Sequence, residues 1–346
     1  MTNSSLLNRI PYIKGALILL IVLYHSMLTW AGVWNFSFLA GLEIFPIKVL
    51  ADWLNSFHIY AFTFISGYIF AFIEIDRIGG GYKSFLRFCK SKVFRLLIPY
   101  IFVSIIWVIP NEVLFKECDT ITILHAFVLG ENPNQLWFLL MLLGVFLLFW
   151  PARKIAIKKP LLTVIYVFIL YACGLIGSNY IPNVFQIWTA CQYVLFFYLG
   201  FFYYRWRDKI LGKVNPLTWL FIDILLFVTY EFLQASSTLL AVTHLLNGIT
   251  LRIVGCVMAV EVINSLLPDV LSKDGVFTNI STRSMGIYLF HQQVIYYSLY
   301  LFCYKLGWAP VPCILLNFIV SVTVAYLITT LLMKTKFTRL MIGEKM

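Results

Sequence analysis

Lys14 and His25 are the first two residues whose types and spacing could do chemistry. They begin, and sit within, the apolar run KGALILLIVLYHSMLTWA, residues 14–31. On an α-helix, eleven steps of 100° make three full turns plus about 20°, so both side chains share a face, about 16 Å apart along the axis. If Lys14 marks the membrane edge, His25 lies about halfway through a hydrocarbon core of roughly 30 Å. A neutral imidazole keeps one ring nitrogen free to take a proton, which suits a general base near neutral pH. Helix geometry is equally compatible with a histidine that only hydrogen-bonds to a neighbouring helix.

Other ionisable groups fall inside apolar runs, where they are rare and functional by default. His58 stands in FHIYAFTFISGY and is expected at the outer mouth of its span. Arg252 falls at the centre of a later run, and a buried guanidinium needs a carboxylate, carbonyls or a wet cavity. Asp223, one run earlier, is its expected partner, with a place in a substrate cavity as the other reading. His291 follows Tyr288 by about one turn in SMGIYLFHQQ, so the two share a face. Lys92 and Arg95, three apart, end a basic stretch that leads into RLLIPY. With Lys14 on the same side they would make a cationic mouth suited to a phosphorylated ligand. The histidines at 25, 58, 244 and 291 sit on separate runs with no HExxH pairing, so no metal site is expected.

These residues need a scaffold, and composition says which. The chain has 346 residues, 61% hydrophobic and only 12% charged, with a mean hydropathy of +0.89. A soluble domain carries about twice that charge. The apolar runs are continuous rather than alternating, which argues for helices and against a barrel. The expectation is an all-α, polytopic membrane helical bundle of about ten transmembrane helices, at 14–31, 57–75, 94–110, 135–151, 161–177, 187–204, 217–234, 239–263, 284–303 and 311–333. All Lys and Arg except Lys48, Lys116, Lys305 and Arg252 fall on the same side as the N-terminus. The positive-inside rule then puts both termini in the cytoplasm. It also explains the net charge of +11 without nucleic acid, because these cations fix topology and face membrane lipids. Two outer loops, 32–56 and the acidic 111–134, are long enough to matter. The seven cysteines are scattered singly, with no CxxC, so neither a disulfide framework nor a zinc site is expected. No inverted repeat of broken spans is visible, which disfavours one class of transporter.

At these residues the chain resembles the acyltransferase 3 family of multi-pass membrane O-acyltransferases. The resemblance is carried by Lys14 and His25 with ten residues between them, and by His58 leading to Ser66-Gly67-Tyr68. Lys92, Arg95 and Pro99 continue it, followed by the Leu136-Trp137-Phe138-Leu139 opening of the next run, then Tyr288 with His291. These five run in family order over nearly the whole chain. One departure is Pro11, where relatives often carry an acidic residue. A further expectation is a single integral-membrane acyltransferase domain over 1–346, without the hydrolase-like extension of some relatives and similar to capsule, O-antigen and fucose-type sugar O-acetylases.

The resemblance implies transfer of an acyl group, usually acetyl, from cytoplasmic acyl-CoA to a hydroxyl of a cell-surface or lipid-linked glycan. The setting would be a bacterial cytoplasmic cell membrane. His25 would be the catalytic base or first acyl acceptor, with Tyr288 and His291 among the candidate oxyanion donors. Lys14, Lys92 and Arg95 would hold the phosphates of acetyl-CoA. His58, Ser66, Trp137 and Arg252 would contact the glycan acceptor. The competing class is a transporter or flippase moving a polar solute, with Arg252 and Asp223 in its pathway.

Overall fold

The computed structural model describes residues 3–77, 81–209, 211–232, 238–268 and 275–344. In chain order the main helices are α1 (Asn3–Met27), α2 (Phe45–Ile75), α3 (Phe85–Lys116), α4 (Trp137–Phe149), α5 (Pro160–Tyr180), α6 (Ile187–Trp206), α7 (Pro216–Phe232), α8 (Thr238–Leu266), α9 (Val276–Thr282), α10 (Ser284–Ser298), α11 (Pro310–Leu332) and α12 (Lys336–Met341). No strand forms among the described residues, only two isolated bridges, Ala31 with Glu43 and Phe36 with Leu39. Among the described residues, seven helical segments are long and apolar enough to cross a membrane: those of α1, α2, α3, α5, α6, α8 and α11. The other three expected spans are also helical but shorter, in α4, in the 17 residues of α7, and in the 15 of α10, which continues as a π-helix over Leu299–Lys305.

Three boundaries in α1 and α2 differ from expectation, and α3 runs past its expected span at both ends. α1 starts at Asn3 and carries Pro11 inside it, so Lys14 stands mid-helix rather than at its start. α1 also ends at Met27, and residues 28–44 fold back at Gly32, whose φ of 74° suits glycine. α2 begins at Phe45 with Pro46 in its first turn, so Asp52 and Trp53 are helical rather than in the loop. α3 is one continuous run with π-helical stretches at Val93–Leu97 and Ser104–Val108. Each lies just before a proline, Pro99 and Pro110, which has no N–H to give to the carbonyl four residues back. The first stretch carries Arg95.

In lipid, helices associate by close packing rather than by the hydrophobic effect. The crossing of α2 and α6 shows this. A Cβ on Gly67 would strike the carbonyl of Phe197, and one on Gly200 would strike the carbonyl of Phe64. Each glycine lets the other helix's backbone touch it, which accounts for the glycine of Ser66-Gly67-Tyr68. At one end of the same pair, Arg207 makes a bidentate ion pair with Glu261 of α8 (Nε to Oε1 2.9 Å, a terminal nitrogen to Oε2 3.0 Å), and Tyr203 donates its hydroxyl proton to the same carboxylate. Cys303 and Cys313 are joined in a disulfide across the turn before α11. That corrects the expectation of unpaired cysteines: the partners lie ten residues apart, with no short motif to mark them, and only the turn brings them together.

Candidate active site

A cavity of about 580 Å³ runs into the bundle between α1, α2, α3, α4 and the α9–α10 segment. Its mouth holds four cations, Lys14, Arg77, Lys92 and Arg95, and one carboxylate, Glu344. Its shaft is mostly apolar. α2 lines it with Ile59, Phe62, Ser66, Ile69, Ile73 and Arg77, a stripe at three- and four-residue spacing along one helix face. α4 adds Phe138, Leu142 and Phe146, and α10 adds Met285 and Tyr288.

Three histidines stand where this shaft ends. His25 is one turn beyond Ile21, the last cavity residue on α1; His58 is next to Ile59, the first on α2; His291 is one turn beyond Tyr288 on α10. His58 and His291 are buried, at 1% and 0% exposure. The rings touch: His291 Nε2 lies 3.3 Å from His25 Nδ1, and Tyr24 packs on both His25 and His58, with centroids 5.1 and 4.8 Å away. Each Nδ1 also faces a backbone carbonyl one turn back. His25 meets Ile21 O at 2.9 Å, His58 meets Leu54 O, and His291 meets Tyr288 O at 2.8 Å. A carbonyl only accepts, so the proton of each neutral ring sits on Nδ1 and Nε2 keeps its lone pair. In His25 the Nδ1 proton is shared between Ile21 O and His291 Nε2, and Nε2 is left to act as a base. The 28–44 loop covers the far side, with the Trp34 ring 5.8 Å from His25 and 5.3 Å from Tyr296.

The fold thus sets a cationic mouth at one end of a helical shaft and three neighbouring histidines by the other. The model of the acyltransferase domain of the acyltransferase 3 family matches residues 7–330, nearly the whole chain. The chain belongs to the acyltransferase 3 family. Comparison with curated proteins and with solved structures gave no match.

In this acyltransferase the residues expected at the site divide into those the fold gathers and those it does not. Lys14, Lys92, Arg95, Ser66 and Tyr288 line the cavity, and His25, His58 and His291 cap it. His58 is therefore interior, not at the outer mouth: α2 starts twelve residues earlier than its apolar run, so residue 58 falls near the helix middle. The Lys92 ammonium rests on the ring of Phe146, 3.5 Å from its centroid, and Ser66 Oγ donates to Phe62 O at 2.9 Å. The Tyr288 hydroxyl donates to Gln135 O, and the His291 N–H faces carbonyls of its own helix, so neither offers an oxyanion donor to His25. Trp137 packs on Tyr193 and Phe138 and does not line the cavity. Arg252 lies over the Tyr60 ring, 5.3 Å from its centroid. Asp223 is not its partner: the carboxylate accepts from Trp53 Nε1 at 2.9 Å. The sequence reading passed over Arg77 as a ligand of the mouth, Trp34 as the cover of His25, and Glu344. The last had a signal, being a lone acidic residue in a basic C-terminal segment.

Proposed function

We propose that this membrane acyltransferase moves an acyl group, acetyl in the first instance, from cytoplasmic acyl-CoA to a hydroxyl of a cell-surface or lipid-linked glycan. The observation that carries the reading is one cavity that starts among four cations and ends at Ile21, Ile59 and Tyr288, each within a turn of His25, His58 or His291. The residues present fit such a donor. Guanidinium and ammonium groups at the mouth match its phosphates, and the apolar shaft matches its thin, flexible arm. The donor supplies an activated thioester. Lys14, Arg77 and Arg95 bind and orient its charged end, Lys92 keeps positive charge against the wall beside them, and Phe62, Phe138 and Leu142 exclude water from the arm.

His25 takes the proton of the acceptor hydroxyl at Nε2 as that oxygen attacks the thioester carbonyl. The carbon–sulfur bond breaks, the ester forms, and the proton on His25 is returned to the departing thiolate. His291 holds the His25 ring in the tautomer that frees Nε2 for this step, the positioning role a second group plays for a catalytic histidine. The setting we propose is the cell membrane, with the cavity mouth facing the cytoplasm. The basic-residue asymmetry supports this orientation, and so does the Cys303–Cys313 disulfide at the expected outer end, since disulfides persist in oxidising compartments.

The test is reconstitution of the full chain in vesicles with acetyl-labelled acetyl-CoA and a mixed glycan fraction. Alkali-labile label on glycan, lost in His25→Ala at unchanged protein level, is the expected result. Proton-coupled solute uptake with no ester formed would overturn it in favour of transport.

A further inference from the structure

The mouth of the cavity carries a carboxylate of its own. Lys14, Arg77, Lys92 and Arg95 line it, and Glu344 is the one acidic residue of its described lining. Among the described residues none of the four cations makes an ion pair, with Glu344 or with any other carboxylate. Like charges gathered in a cleft concentrate anions there. Backbone, not ion pairing to these cations, puts Glu344 among them.

After α11 the chain turns at residues 333–335 and forms α12, which packs on α3 around Ile98–Val103. The hydrogen bonds of this segment are local. Thr335 Oγ accepts from the Thr338 N–H at 3.1 Å, and Arg339 Nε donates to Met333 O at 2.7 Å. Gly343, with φ of 72°, closes the helix in a Schellman motif: its N–H donates to Leu340 O at 3.1 Å and that of Glu344 to Arg339 O at 3.0 Å. Its seat on the bundle is small. Between Lys336 and Glu344, Ile342 is the only buried residue. Beside it, a Cβ on Gly343 would stand 2.6 Å from Arg95 O and 2.8 Å from Pro99 Cγ. The seat is therefore the carbonyl of a residue whose own side chain lines the mouth. A segment that keeps its own hydrogen bonds and buries one side chain belongs to the part of a fold that opens most easily.

We propose that residues 333–344 form a displaceable strap, an autoinhibitory contact that holds the Glu344 carboxylate in the anion site until an anionic ligand takes its place. Docked, the strap opposes the ligand by charge and by filling part of the mouth. Lifted, it leaves four cations free. The coupling is reciprocal: docking weakens ligand binding by the same factor as the ligand weakens docking. The inference rests on the acyl-donor reading only for the identity of the ligand, since any anion that fits the mouth competes with Glu344.

The test uses the full chain in nanodiscs with two probes, acetyl-CoA and inorganic pyrophosphate. Calorimetry reads affinity, and amide hydrogen exchange over 336–344 reads docking. Saturating acetyl-CoA should speed exchange at Gly343 and Glu344 about tenfold in the wild type. Gly343→Val has no room under the Arg95 carbonyl and is strained at a φ of 72°. It changes no charge, yet it should tighten acetyl-CoA severalfold, and Ile342→Ser should match it by removing the buried anchor. Glu344→Gln should tighten acetyl-CoA by a similar factor. Combined with Gly343→Val it should add nothing, because a lifted carboxylate no longer acts on the mouth. Additive effects would make Glu344 a fixed charge and overturn the strap. Unchanged exchange with acetyl-CoA bound, or affinity no better in Gly343→Val and Ile342→Ser, overturns it too and leaves the donor reading standing. The exchange measurement needs no variant, so it decides the matter if either variant fails to fold. If pyrophosphate binds and speeds exchange while acetyl-CoA does neither, the strap stands and the donor reading falls. If neither probe binds, both fall.

Discussion

His291 Nε2 faces His25 Nδ1 at 3.3 Å, across the contact between α1 and α10. The two rings are unequal. His25 gives its Nδ1 proton toward His291 and toward Ile21 O, while the His291 Nδ1 proton is taken by its own helix. Only His25 combines a free Nε2 with a second histidine that fixes its tautomer.

This inequality predicts a graded series. His25→Ala should lower the transfer rate by about 10²–10⁴, the contribution of a positioned general base. His291→Ala should cost less, about tenfold to a hundredfold, mostly in kcat. His291→Gln should recover part of that loss, because an amide oxygen can accept the His25 N–H in place of the ring nitrogen. Rate measurements at saturating donor give the comparison. If the Gln variant is no better than Ala, His291 serves only to fill space.

The mouth makes an electrostatic prediction with two signs. Lys14 lines it among like charges, while Glu344 is its one carboxylate, brought there by a tail in which Ile342 is fully buried and Gly343 lies against the carbonyl of Arg95. Lys14→Ala should raise the KM for acetyl-CoA about tenfold or more, the loss of one charge-assisted contact, and Lys14→Arg should recover most of it. Glu344→Gln should lower the same KM severalfold by removing repulsion of an anionic donor. Both effects should shrink as salt rises, because charges at an open mouth are screened. Equal KM values across all three variants would remove the mouth from donor binding.

Much of this was legible in the chain because hydropathy and spacing both act locally. The Lys14–His25 phase needed only helix geometry, and among the described residues each apolar run holds a helix, seven of them long enough to cross a membrane. Other features depend on how helices meet. Glu344 reaches the mouth from the far end of the chain, Gln135 and Gln293 meet across 158 residues, and Cys303 meets Cys313 around a turn. The depth of His58 was misjudged because α2 continues through Lys48, Asp52 and Asn55, polar residues at which an apolar-run criterion stops. Asp223 and Arg252 failed to pair for a related reason: Trp53, expected in a loop, is helical and reaches the carboxylate.

The α2–α6 crossing predicts where the fold has no room. Gly67→Val or Gly200→Val would drive a branched side chain into the opposing carbonyl, and the two backbones would have to separate. Overpacking of a well-packed core costs about 1–3 kcal/mol, and more where backbone must move. Each variant should lower the melting temperature in detergent and reduce the folded yield. Gly307 offers the control: it lies in open space, and Gly307→Asn, a residue that tolerates its φ of 65°, should be close to neutral.

The disulfide makes the last prediction, and it joins stability to orientation. Cys303 and Cys313 close a loop of ten residues, which a chain-entropy argument values at about 2–3 kcal/mol. Cys303→Ser and Cys313→Ser should therefore lower the melting temperature by similar amounts, and the double variant by no more than either single one, since all three remove the same link. Orientation is read from two free, half-exposed cysteines, Cys118 and Cys89. In right-side-out vesicles, a membrane-impermeant thiol reagent should label the half-exposed Cys118, in the expected outer segment 111–134, from outside. Cys89, in the basic stretch near the mouth, should react only once the vesicles are opened. Labelling of Cys89 in sealed vesicles would invert the orientation and put the cationic mouth on the side opposite to cytoplasmic acyl-CoA.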